Sequence, residues 1–201
     1  MQAHEYEQWK SFVNDEVFLR PRWLPQDCLT NCILLSDRSD IIKRLPKHAV
    51  VAEIGTHSGE FAKRILEIAQ PREFHIFDLS FEPFDRSFFD SEILSGRVIL
   101  HEGDSSTEMS KLPDALFDWI YIDGDHSFEG VSRDIEQAKR LIRAEGALVF
   151  NDYTVYSPLE LVQYGVMRAV NDLCLDDNFE IIMFALNVLG YHDVALQRVK
   201  A

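Results

Sequence analysis

Acids and amides recur at the ends of apolar runs along this chain, and their order suggests one crevice built from distant pieces. Glu53-Ile54-Gly55-Thr56-His57-Ser58-Gly59 closes one run, Asp78 and Leu79 the next, and Asp104 and Ser105 a third. Asp123 closes a fourth and Asn151-Asp152 a fifth. Two glycines in the first loop permit a tight turn and close approach of a ligand, and they feed a helix N-terminus whose amides can hold a carboxylate. Asp78 stands 19 residues beyond Gly59, where a carboxylate can accept from both hydroxyls of a ribose. Loop and acid together indicate a nucleoside cofactor. A dinucleotide site expects G-x-G-x-x-G, whereas G-T-H-S-G is one glycine short and differently spaced, which speaks against a nicotinamide-dependent dehydrogenase.

Proton transfer at such a crevice falls to Asp123, Asp125, His126 and Asp152, all on adjacent run ends. His126 can cap a turn, orient Asp123 or act as a base. His57 reads as a loop residue oriented by its backbone. Phe74, Phe77, Phe81, Phe84, Phe88 and Phe89 crowd one stretch and read as core, with an edge available to a cofactor ring.

The elements that must position these groups follow from periodicity. After Pro46, short apolar runs alternate with amphipathic segments, the pattern of βαβ units and a parallel sheet. Strands are expected over 49–54, 74–77, 97–101, 117–122, 147–150, 179–186 and 193–199, seven in all. Helices are expected on the stripes Phe61, Ile65, Ile68, Ala69 and Val131, Ile135, Ala138, Leu141, the second closed by Gly146. Ser157, Pro158 and Glu160 spell a capping box, predicting a helix to about Leu175. Upstream, Tyr6, Trp9 and Val13 share a helical face, Pro21 and Pro25 interrupt, and Cys28 to Leu35 reads as a second helix. Residues 1–45 are therefore expected to be a helical extension, a lid or a homodimer contact, on a domain spanning 46–201.

Composition narrows the class. Acidic residues outnumber Lys and Arg by 34 to 20, a net charge of −14 that repels phosphate backbones, so a small molecule is expected as partner and nucleic acid is not. No apolar run suits a membrane span and Met1 to Lys10 lacks an apolar targeting core, so a cytoplasmic protein is expected. The three cysteines form no disulfide or zinc pattern.

Glu53, Gly55 and Gly59 match the first motif of the class I S-adenosylmethionine-dependent methyltransferases: an acid, one residue, then glycine and a second glycine four later. Tyr121-Ile122-Asp123-Gly124-Asp125-His126-Ser127-Phe128-Glu129-Gly130-Val131 resembles the branch called methyltransferase domain family 24, and the likeness runs from about Pro46 to Val199. The resemblance implies a Rossmann-like α/β fold, a seven-stranded mostly parallel sheet with helices on both faces and the last strand antiparallel, in agreement with the strands counted above. It also implies S-adenosylmethionine as cofactor, with Asp78 and Leu79 at the ribose, Asp104 and Ser105 by the adenine, and Glu53, Gly55, Thr56, His57, Ser58, Gly59 and Asp123 around the rest. Methyl transfer to a small acceptor is then expected, to a hydroxyl oxygen first, with Asp123, His126 and Asp152 as catalytic candidates. An N-methyltransferase and a cofactor-binding module without turnover are the alternatives. Related metal-dependent O-methyltransferases place one Asp after the fourth strand and an Asp-Asn pair after the fifth around a divalent cation. The corresponding residues here are Asp123 and, in reversed order, Asn151-Asp152, an oxygen set of the kind that holds Mg²⁺ or another divalent ion.

Overall fold

Val50–Ile54 is buried at every residue, as a parallel strand covered on both faces must be. It lies at the centre of a computed structural model that describes residues 21–200. In chain order the elements are β1 (Ile33–Leu35), α1 (Arg38–Arg44), β2 (Val50–Ile54), α2 (Glu60–Ala69), β3 (Glu73–Asp78), α3 (Asp90–Leu94), β4 (Val98–Glu102) and α4 (Ser105–Ser110). There follow β5 (Phe117–Ile122), α5 (Phe128–Leu141), β6 (Ile142–Phe150), β7 (Tyr156–Ser157), β8 (Val162–Gln163), α6 (Val166–Asp176), β9 (Phe179–Ala185) and β10 (Asp193–Arg198).

The main sheet runs β1-β9-β10-β6-β5-β2-β3-β4. β2 pairs in parallel with β3 and β5, and β10 alone runs antiparallel, wedged between β6 and β9. This is the Rossmann-like arrangement expected, with β1 added as an eighth strand, parallel to β9. Alternate residues feed two cores. Val50, Ala52, Ile54, Ile120 and Leu148 meet α5 and α6 on one face, while Val51, Trp119, Tyr121 and Val149 meet α1 and α2 on the other.

Three local readings change. Cys28 to Leu35 is not a helix: a 3₁₀ turn at Gln26–Leu29 leads into β1, because Ile33-Leu34-Leu35 gains backbone partners on the open edge of β9. α1 then sets Ile41 and Ile42 fully into the core, with Asp37 capping it by accepting from the Ser39 amide. Gly146 does not close α5, since β6 starts at once at Ile142; a Cβ at Gly146 would lie 2.6 Å from the Ile142 side chain and 2.8 Å from the Asp118 carbonyl. The capping box forms, the Ser157 hydroxyl accepting from the Glu160 amide at 3.1 Å, but yields a single turn. Leu161 takes φ 59° and the chain doubles back as β8, so the helix begins only at Val166. The expected face of Tyr6, Trp9 and Val13 lies outside the described residues.

Phe81, Phe84 and Phe89 are buried together as core. Cys28, Cys32 and Cys174 are free thiols. Among the described residues no helix is long and apolar enough to cross a membrane.

On the β3–β4 side the His75 and His101 rings stack, with Nδ1 of the first 2.9 Å from Nε2 of the second, and His75 Nε2 lies 2.7 Å from Glu73 Oε1. Burial first, then the neighbouring His75, lowers the pKa of His101 to about 4. Between that value and the ordinary one near 6.5 the unfolded chain binds the extra proton, so this site's stability is present at neutral pH and is lost as the pH falls toward 4. In thermal melts, His101→Gln should therefore lose less melting temperature than wild type on going from pH 7 to pH 4.5; equal losses would mean that the pair is not the acid-sensitive element.

Candidate functional site

Parallel pairing brings the carboxyl ends of β2, β3, β4 and β5 to one edge, with Ile54 beside both Phe77 and Ile122, and Asp78 beside Glu102. A cavity of about 450 Å³ opens there, lined by Glu53, Gly55, Thr56, His57, Asp78, Leu79, Asp104, Ser105 and Asp123, and also by Phe61, Phe77, Arg133 and Asp134. Such a volume suits a small ligand or cofactor. Gly55 has φ +80°, and a Cβ on it would stand 2.1 Å from the carbonyl oxygen of Asp123. The glycine is thus required by the neighbouring β5 turn, whose close approach shapes the cavity wall.

Asp78 organises the loop from below. Its Oδ2 accepts from the Thr56 and His57 amides, each at 2.8 Å, and its Oδ1 from the Ser80 amide at 3.2 Å. Ser58 and Gly59, expected beside the ligand, stand behind the cavity instead. The Ser58 carbonyl accepts from the Asp85 amide, and Gly59, at φ +85°, starts α2 where a Cβ would strike Phe84 at 2.6 Å. Of the Phe cluster only Phe77 reaches the cavity; Phe84 and Phe89 support the loop from beneath.

Glu53 is completely buried on this wall, and neither of its oxygens, nor the Thr56 hydroxyl, makes a hydrogen bond of normal geometry. Burial holds its carboxyl well above the ordinary range, although the nearby Thr56 hydroxyl favours the ionised form. An orphaned buried acid costs free energy until it meets a donor or a cation, so this wall is built for a ligand that brings one. Asp104 caps α4 by accepting from the Thr107 amide and hydroxyl, and Ser105 donates to Asp134 Oδ1 at 2.5 Å. Asp134 is pushed up to about 6 by burial.

A second cavity, about 310 Å³, lies past the ends of β5 and β6 and is lined by Arg38, Asn151, Asp152, Ser157, Leu159, Glu160, Tyr164, Asn187 and Tyr191. The two cavities share a wall: Asn151 Nδ2 donates to Asp123 Oδ1 at 2.7 Å. Tyr191 shapes the second cavity by joining its hydroxyl to Ser157 Oγ at 2.8 Å and accepting from the Leu159 amide at 3.2 Å. Asp152, in a left-handed backbone conformation at φ 55°, is raised to about 6, chiefly by burial.

His126 stands behind these acids and does not line either cavity. Its Nε2 is buried 3.5 Å from Asp123 Oδ1 and 3.6 Å from Asp152 Oδ2, and its ring stacks on Tyr164 with centroids 4.5 Å apart. Burial pulls its pKa down, but the Asp123 and Asp152 carboxylates outweigh that and leave it raised. It thus lies beside both carboxylates, although Nε2 makes no hydrogen bond of normal geometry to either.

Asp123, Asn151 and Asp152 come together, yet their donor set does not fit a divalent cation. Water and substrate can complete a divalent ion's shell, but the carboxylate oxygens must be free to bind it, whereas Asp123 Oδ1 receives the Asn151 amide and His126 Nε2 lies 3.5 and 3.6 Å from the Asp123 and Asp152 carboxylates. The remaining approach carries Arg38, whose Nη1 is 3.4 Å from Asn151 Oδ1 and 3.9 Å from Asp123 Oδ2.

Residues 52–153, covering the strand-end acids and both glycines of the first loop, match the model of a methyltransferase domain, family 24. The chain belongs to this family. It is thereby an S-adenosylmethionine-dependent methyltransferase. No curated protein matches the methyltransferase in sequence. Among solved structures it is similar to an O-methyltransferase from Bacillus cereus in complex with SAH, at 17% identity over 97% of this chain and 90% of that one, with a TM-score of 0.60. It is also similar to precorrin-6y C5,15-methyltransferase from Geobacter metallireducens, at 18% identity over 80% and 86%, with a TM-score of 0.61. The pyocyanin biosynthetic protein PhzM gives 18% identity and a TM-score of 0.60 over 80% of this chain, which spans about half, 54%, of PhzM. At these identities the likeness is one of fold.

Several residues of the methyltransferase site escape sequence reasoning. Asp134 carried a signal, a charge on the apolar stripe of Val131, Ile135 and Ala138, and its side chain is buried against Ser105. Arg38, Phe61, Glu160, Tyr164 and Tyr191 carried none, because each reaches its cavity only through tertiary packing. Asp78→Ala removes the acceptor for two loop amides as well as a carboxylate on the cavity wall. It should weaken adenosylhomocysteine binding by roughly 1.5–3 kcal/mol, the worth of charge-assisted hydrogen bonds. Calorimetry on a folded variant with wild-type affinity would remove Asp78 from the cofactor site.

Proposed function

We propose that the methyltransferase moves the methyl group of S-adenosylmethionine to a hydroxyl oxygen of a small polar acceptor bound in the second cavity. The observation that carries this reading is Asp152: a carboxylate raised to about 6 on the wall of that cavity, one hydrogen-bonded pair away from the first. A hydroxyl attacks better as it loses its proton, and a base whose pKa lies close to the working pH is the efficient one.

In the first cavity, Glu53 would give up its proton to answer the ammonium of the methionine half, and Asp78 would accept from the ribose hydroxyls. Asp104, Ser105 and Leu79 border the same cavity and would flank the adenine. When bound, the cofactor supplies a methyl carbon made electrophilic by its sulfonium and departs as a neutral thioether. Asp152 would take the acceptor's hydroxyl proton at its carboxylate, leaving the oxygen free to attack the methyl carbon that the cofactor would supply. His126 backs Asp152 and Asp123 and holds both in place. Holding the reactants in line accounts for most of the acceleration. The polar lining, Ser157, Glu160, Asn187 and the Tyr164 and Tyr191 rings, supports a hydroxylated acceptor, and the net charge of −14 opposes a nucleic acid.

Asp152 must be ionised to act, so turnover should rise with pH through about 6 and level off above it. In a screen of hydroxylated acceptors read by release of adenosylhomocysteine, Asp152→Asn should lower kcat by about 10²–10⁴-fold and flatten that profile. An active acceptor whose turnover is untouched by Asp152→Asn would sink the base assignment, and an amine as the only active class would replace oxygen by nitrogen.

A further inference from the structure

Arg38 comes from α1, far upstream of the strand-end motifs, and its guanidinium arrives among the residues that related enzymes devote to a metal. It lies over the Phe61 ring at 4.2 Å from the centroid. Its Nη1 is 3.5 Å from the Tyr121 hydroxyl, 3.4 Å from Asn151 Oδ1 and 3.9 Å from Asp123 Oδ2. The Tyr121 hydroxyl in turn donates to Asp193 Oδ2 at 2.5 Å, and Asp193 is only 2% exposed. Asp152 lines the same cavity as Arg38. Thus Asp123 faces one guanidinium directly, with Asp152 on the same cavity and Asp193 behind Tyr121, at the seam between the two cavities.

We infer that Arg38 is the resident cation of this site and replaces the divalent ion, so that the methyltransferase works without a metal. A guanidinium keeps its charge at any working pH and has five donors in a rigid fork, enough to answer carboxylates on one side and an acceptor oxygen on the other. All three polar contacts described above fall on Nη1, and the side chain borders the acceptor cavity. The positive charge near the acceptor, which a metal would otherwise supply as Lewis acid and template, is here tethered to the chain. Phe61 borders the cofactor cavity, so the same cation–π contact sets the guanidinium between both reactants. The inference does not depend on which group takes the proton, and its test does not use turnover.

The probe is Mn²⁺ alone, which favours oxygen ligands in the same geometry as Mg²⁺ and is read by electron paramagnetic resonance as the free-ion signal lost on binding. Wild type should bind no Mn²⁺ that Asp123→Asn abolishes. Arg38→Ala leaves the carboxylates without their countercharge and should bind Mn²⁺ about tenfold or more tightly than wild type, and adding Asp123→Asn should cancel the gain. Arg38→Lys keeps a cation there and should exclude the metal as wild type does. Circular dichroism and melting verify that each variant folds, and Arg38→Gln serves if the alanine variant does not. Asp123-dependent Mn²⁺ binding by wild type, or a folded Arg38→Ala and Arg38→Gln that bind no better than wild type, would overturn the assignment.

Discussion

A carboxylate withdrawn from water must find a cation, a set of donors or a proton, and the carboxyl edge of this sheet withdraws several. Glu53, Asp134 and Asp193 are nearly or fully buried, while Asp123 and Asp152 are mostly so. Burial raises Asp134 and Asp152 to about 6 and Asp193 to about 7. An acid raised in this way is most comfortable at low pH and weakens the fold as the pH rises through its pKa, the opposite sign to His101. The edge is therefore a place where stability is given up, and the two cores above and below it must supply what the edge loses.

Those cores are what the sequence makes plainest. A buried parallel strand is a short, mostly apolar run, and Val50–Ile54, Phe117–Ile122 and the second half of β6 read as strands even with Glu53 and Asp118 among them. The errors fall where a local signal met a tertiary competitor. Ile33-Leu34-Leu35 is too short to declare itself, and only the free edge of β9 makes it a strand. The capping box at Ser157 does cap a turn, but Tyr191 ties that same Ser157 to the β9–β10 connection and the chain turns away. Gly146, read as a stop, marks a close approach within a strand.

The site divides in the same way. Glu53, Gly55, Asp78, Asp104 and Asp123 come to one cavity and Asp152 to the next, and their convergence was legible because the end of a strand is a fixed address in a doubly wound sheet. At Gly55 what needs the space is the Asp123 carbonyl of the neighbouring turn, a requirement its motif does not suggest. Arg38 was illegible, since a lone arginine at the start of a short helix has no pattern around it, and its partners Tyr121, Asn151 and Asp193 are scattered over the rest of the chain. Asp193, at the start of the antiparallel β10, looks like an ordinary strand boundary until the fold sets it beneath Tyr121.

Compensation for the acidic edge is divided between chain and ligand. Around the second cavity the fold answers its own acids: Arg38 faces Asp123 and Asn151, Tyr121 donates to Asp193, and His126 lies beside Asp123 and Asp152. On the cofactor side the wall holds Glu53, Asp78, Asp104, Asp123, Asp125 and Asp134 against a single arginine, Arg133, and Glu53 has no partner. A cavity so biased attracts cations through a low-dielectric wall, and the cofactor of this family carries two positive centres, its ammonium and its sulfonium. Methyl transfer removes the second of them. On the proposed reading, the attraction that would draw the cofactor in is weaker for the product it leaves behind, so the acids that destabilise the empty fold would favour exchange in the direction of turnover.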